Sequence, residues 1–167
     1  MDEAKKILEQ MLSKGSIVDA YSYSIFINGY CKHRRIDEAL MLFEEMSSSR
    51  VVPNVVTYTI LMDDLCIGGK VESARDLFRG LSSRGLQPNT RTYNIMIGGF
   101  CNGGLMSEVV KLFKEMEEKG CSPDSWTFNI IRRGFFNNNE TSEEMRLIQR
   151  MVEKGFFCRC INCGIDN

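Results

Sequence analysis

The chain has 167 residues, with 21 Lys and Arg against 22 Asp and Glu and a formal net charge of −1. That length holds one domain with a continuous core, and leaves no room for a repeat array plus a separate enzyme domain. The charge balance excludes a strongly basic nucleic-acid footprint, and no apolar run reaches the length that crosses a bilayer.

Residues 1–19 read as a partial unit, a single amphipathic helix that is already under way at Asp2-Glu3-Ala4 and ends near Gly15. The next 35 residues, 20–54, set the phase of everything that follows. Tyr23, Tyr58, Tyr93 and Phe128 stand 35 apart, as do Phe43, Phe78, Phe113 and Ile148, and Met46, Leu81, Met116 and Met151. Small residues keep the interval at Ala4, Ala39 and Ala74, drifting to Val109 and Glu144. Gly15, Gly85, Gly120 and Gly155 keep it too, with Arg50 in the missing place, and so do the three prolines of the chain, Pro53, Pro88 and Pro123.

Residues 55–89 show what one period contains. Val56 to Gly68 carries Ile60, Leu61 and Leu65 at helical spacing, and Gly68-Gly69 supplies the left-handed stop. Val71 to Ser83 then presents Ala74, Leu77, Phe78 and Leu81 as one apolar stripe, and Gly85 ends it. Pro88 cannot continue that helix, and Asn89 can cap the next. Residues 90–124 repeat the scheme. The last unit, 125–157, loses it: Glu144 replaces the small residue and Asn137-Asn138-Asn139 makes the turn polar, as expected of an end cap. Residues 158–167 form an irregular Cys-containing tail. Neither helix of a pair can bury its stripe alone, so neighbours stack. The expected class is all-α, an α-solenoid of antiparallel helix–turn–helix repeats.

Of the seven cysteines, Cys31, Cys66 and Cys101 recur at one point of successive repeats, which marks them as core positions in a reducing compartment. The tail carries one CxxC at Cys160–Cys163, and His33 is the sole histidine, so no structural zinc and no histidine-based catalysis is expected.

Helical pairs occur in several families. Tetratricopeptide repeats have 34 residues and a Trp/Leu-Gly/Tyr pattern, whereas this period is 35 and there is one tryptophan. The segments Asn54 to Met62, Asp37 to Met46 and Gly120 to Asp124 closely resemble the pentatricopeptide-repeat consensus, over about residues 1–155. The uniform spacing is similar to the pure-repeat, P-type class. That resemblance implies a right-handed superhelix that reads single-stranded RNA, one base per repeat. It assigns base choice to the fifth and last residues of each repeat: Ser24 with Asn54 for adenine, Thr59 with Asn89 for adenine, Asn94 with Asp124 for uracil. Asn129 implies a pyrimidine, its partner being Arg159. The core site implied is 5′-A-A-U-3′. The second residues, Tyr21, Val56, Arg91 and Trp126, would sandwich the bases, three of them departing from the usual aliphatic side chain.

Plainer readings stand beside these. Asn54, Asn89 and Asp124 are where helix caps belong, Ser24, Thr59 and Asn94 suit a solvated face, and Trp126 suits core or cap packing as well as stacking. Lys32-His33-Arg34-Arg35 and Arg132-Arg133 are local basic spots, while Asp63-Asp64 opposes a phosphate track. The partner expected is single-stranded RNA, with no cofactor, no membrane and no small-molecule substrate. A protein-interaction scaffold is the rival function, and a truncated member without a defined target is the third. By family the location is mitochondrial, with the plastid second. No transit segment is read at Met1, which falls inside a repeat, so the chain either acts where it is made or is part of a longer array.

Overall fold

The computed structural model describes residues 18–138 together with Lys6, Ile7, Gln10 and Arg146. Apart from those four residues, the expected helix within 1–19 and the second half of the last unit lie outside the described residues, as does the tail with Arg159 and its cysteines. Among the described residues there are seven α-helices and no strand: α1 Ala20–Lys32, α2 Ile36–Ser48, α3 Val55–Ile67, α4 Val71–Ser83, α5 Thr90–Asn102, α6 Met106–Glu118 and α7 Ser125–Asn137. The fold is an all-α helical repeat, and α3 and α4 fall where hydrophobic spacing and glycine stops put them.

Local chemistry cuts the helices to equal length. α1, α3 and α5 stop where the second residue beyond the helix turns left-handed, at Arg34 (φ 59°), Gly69 (φ 74°) and Gly104 (φ 70°). The N–H groups of Arg35, Lys70 and Leu105 then donate back to the carbonyls of Tyr30, Leu65 and Phe100, at 3.0, 2.8 and 2.9 Å. α2, α4 and α6 end the same way at Arg50, Gly85 and Gly120, with φ of 61°, 71° and 75°. Arg50 therefore fills the glycine place in conformation as well as in sequence.

Two compact units divide the chain, Met1–Met96 and Ile97–Asn167. In the first, α1 packs on α2 and α3, and α3 packs also on α4. Ala39 and Ala74 are fully buried in α2 and α4, where a larger side chain would hold the helices apart. The ring of each second helix meets the tyrosine of the following repeat edge-on: Phe43 with Tyr58 at 5.2 Å and Phe78 with Tyr93 at 5.4 Å between centroids. That is a favoured aromatic geometry, and it fastens each repeat to the next. In the second unit α6 packs on α7, with Val109 fully buried and Phe113 against Phe128 at 5.8 Å.

Cys31, Cys66 and Cys101 are buried, as the ladder requires. Burial pushes their thiols up to about 12, with Asp63 and Asp64 adding to the effect at Cys31 and Asp63 at Cys66. They stay protonated and unreactive. Asn138 does more than make a turn polar: its side-chain amide donates to Cys101 O at 3.0 Å and Gly134 O at 2.8 Å.

Candidate nucleic-acid interface

Four residues spaced 35 apart, Asp19, Asn54, Asn89 and Asp124, precede the first helices. Backbone amides at a helix start lack intrahelical acceptors, and these side chains supply one. Asp19 accepts from Ser22 N at 2.8 Å, Asn54 from Thr57 N at 3.0 Å, Asn89 from Thr92 N at 3.0 Å and Asp124 from Thr127 N at 2.8 Å. The hydroxyls of the same Ser and Thr residues reach the same oxygens at 2.8, 3.1, 3.0 and 2.9 Å. Bonding to Ser22 holds the Asp19 carboxyl below the ordinary carboxylate range. The capping role is thus real at every one of these positions.

The fifth residues are not on a solvated face. Ser24, Thr59 and Asn94 keep only 4, 5 and 6% of their surface. Ser24 Oγ donates to Ala20 O at 2.7 Å and lies 2.8 Å from Thr57 Oγ1. Thr59 Oγ1 donates to Val55 O at 2.6 Å and lies 3.3 Å from Thr92 Oγ1. The structure therefore brings Ser24 together with Asn54 through Thr57, and Thr59 together with Asn89 through Thr92. Asn94 belongs to the first unit, Asp124 and the half-buried Asn129 to the second.

The second residues point the other way. Tyr21 is 71% exposed, Val56 59% and Trp126 66%, so the indole lies outside the core; Arg91 is exposed as well. Arg91 is not an isolated cation: burial raises the Asp63 carboxyl, and the Arg91 charge pulls it back down. The basic spot at α1 is likewise partly spent within the fold. Arg35 lies over the Tyr30 ring at 5.3 Å and donates to Glu38 at 2.8 Å, and Arg34 stands 3.9 Å from Asp64. Arg132 and Arg133 are exposed on α7.

Sequence reasoning took the caps and fifth residues and passed over the residues that join them. Thr57, Thr92 and Thr127 sit 35 apart, so a ladder written for polar as well as apolar residues would have found them. The contacts of Thr57 and Thr92 to the preceding repeat span 33 residues and arise only from packing.

Models of the PPR repeat family match residues 25–67, 65–102 and 93–137, and a further PPR repeat matches 126–156. Among solved structures, the pentatricopeptide repeat protein PPR10 from maize is 25% identical, with a TM-score of 0.83 over 91% of this chain and 22% of that one. PPR10 in complex with an 18-nt psaJ RNA element gives 25% identity and a TM-score of 0.76 over the same shares. The PPR domain of Arabidopsis thaliana protein-only RNase P 1, in complex with tRNA, is 19% identical, with a TM-score of 0.75 over 92% of this chain and 81% of that one. At that identity the likeness shows the fold alone. No curated protein matches the sequence, and this chain spans about a fifth of the maize chain, 22%. The family models together run through most of the sequence, and the chain belongs to the PPR repeat family.

Proposed function

We propose that the chain binds single-stranded RNA sequence-specifically, one base per repeat, with 5′-A-A-U-3′ as its core site, and serves organellar RNA processing, stability or translation. The observation that carries this reading is the joining of Ser24 to Asn54 and of Thr59 to Asn89 through a single hydroxyl each. Each pair is two short polar groups linked by one threonine near a helix start, with an exposed Tyr21, Val56 or Arg91 one turn from a fifth residue for the base face. Stacking on such groups is sequence-tolerant, so the base choice falls to the paired polar atoms. PPR10, solved with an RNA element, supports the same class of partner. Mitochondrial location, with the plastid second, goes with this reading.

A gel shift with a short A-A-U strand and its scrambled counterpart, repeated at rising salt, tests it. Preference for the A-A-U strand is expected, with weak overall affinity that falls further with salt where phosphates are contacted. Thr59→Asn is expected to move the second base from adenine toward a pyrimidine. Equal binding to both strands defeats the assignment. The net charge of −1 and the Asp63-Asp64 pair favour one rival, a protein scaffold using the same surface, and for that rival neither strand shifts.

A further inference from the structure

We infer that Thr57 and Thr92 are positioning residues that fix which base edge the repeat before each of them accepts; this rests on the RNA reading above. The argument is a count of hydrogens. Ser24 Oγ lies 2.7 Å from Ala20 O and 2.8 Å from Thr57 Oγ1, and Thr57 Oγ1 lies 3.1 Å from Asn54 Oδ1. Three oxygen–oxygen contacts share two hydroxyl hydrogens, because a carbonyl and an amide oxygen only accept. The Ser24 hydrogen goes to Ala20 O or to Thr57, and the Thr57 hydrogen to Asn54 Oδ1 or to Ser24. Both hydrogens are consumed inside the protein in each case, so Ser24 meets a ligand only as an acceptor.

The same threonine sets the other half of the pair. Its backbone N–H, at 3.0 Å, and its hydroxyl both lie on Asn54 Oδ1. With Oδ1 held by the threonine, Nδ2 is the atom of the amide left to meet a ligand, as a donor. Thr92 repeats the arrangement with Thr59 and Asn89, at 3.3 Å to Thr59 Oγ1 and 3.0 Å to Asn89 Oδ1.

An acceptor beside a donor is complemented by a donor beside an acceptor. Adenine and cytosine have that edge, an amino group next to an unprotonated ring nitrogen. Uracil and guanine have the reverse, a carbonyl next to a ring N–H, and would set acceptor against acceptor and donor against donor. Leaving such groups unpaired in a desolvated contact is what gives polar sites their discrimination. The relay makes the first two repeats readers of the amino edge. Without the threonine hydroxyl, Ser24 or Thr59 still donates to Ala20 O or Val55 O, but Asn54 or Asn89 keeps only a backbone N–H on its Oδ1 and the two halves of the pair are no longer joined, so the rejection of uracil weakens.

The test uses the intact chain and short single-stranded RNAs in which the first or second adenine of A-A-U is replaced by each other base, read by fluorescence anisotropy. Wild type is expected to prefer adenine and cytosine over uracil and guanine by about tenfold at both positions, the scale one well-made edge contact supports. Thr57→Val, although it lies in the second repeat, narrows that preference to about twofold at the first base and leaves the second unchanged. Thr92→Val does the reverse, and Thr57→Ser and Thr92→Ser, which keep the hydroxyl, restore it. A thermal melt identifies a valine variant that fails to fold, and the other then carries the test. Undiminished selectivity in a folded valine variant, or equal loss at both bases, overturns the relay while the RNA reading stands. A wild-type chain that binds RNA with no base preference, or binds none, overturns the reading and the relay with it.

Discussion

Arg34 and Arg50 hold left-handed backbone at the two turn positions where the later repeats have glycine. An L-residue with a Cβ pays roughly 1–2 kcal/mol for that conformation, partly offset by the freedom that glycine loses on folding. Arg50→Gly is therefore expected to stabilise the chain by about 0.5–1 kcal/mol, measured by urea denaturation. Arg34→Gly gains less, because it gives up the ion pair with Asp64 at 3.9 Å. A loss of stability in Arg50→Gly would mean that the arginine side chain contributes more than its backbone costs. At this scale much was legible: Arg50 shows in the sequence as the odd member of a glycine series, and its conformation follows. Arg34 stands in a matching series with Gly69 and Gly104, open to the same spacing, and its φ angle places it there.

Among the elements, the first helices differ in how closely they are packed. A Cβ built on Gly134 of α7 would overlap Cys101 Sγ of α5, whereas one on Gly98 of α5 would meet Ile130 Cγ2 at an ordinary 3.8 Å. Gly134→Ala is accordingly expected to cost about 1–3 kcal/mol through overpacking. Gly98→Ala should be neutral, or stabilising by up to about 1 kcal/mol, through helix propensity alone. Thermal melts of the two variants compare them directly, and equal effects would refute the close approach at Gly134. Nothing in the sequence separates these glycines, since both lie inside a helical pattern. The separation comes from which helix face the neighbouring cysteine meets, and that is a tertiary fact.

For the whole molecule, the recurring cysteines couple stability to alkaline pH. Cys31, Cys66 and Cys101 have folded-state values raised from 9.0 to about 12. Above pH 9 the unfolded chain loses these protons while the folded chain keeps them, so stability falls as pH rises between 9 and 12. The limiting slope is about 1.4 kcal/mol per pH unit for each thiol. Urea denaturation at pH 7, 9 and 10 should show a decline that is shallower in Cys66→Ala, and identical slopes would argue that the thiol is not desolvated. The sequence by itself determined the period, the two helices in each repeat, their stops and the identity of the core ladder. Those features follow from local backbone preference and apolar spacing, which a chain carries wherever it folds. It also named the cap positions; the family resemblance added the fifth residues, for which a solvated face was the plainer alternative to base recognition at Ser24, Thr59 and Asn94. Only packing decided that they are buried, and that Thr57 and Thr92 lie between them and the caps. Hydrogen bonds across 33 residues have no local signature, and the side of a helix that a short polar group faces is set by the neighbour stacked upon it.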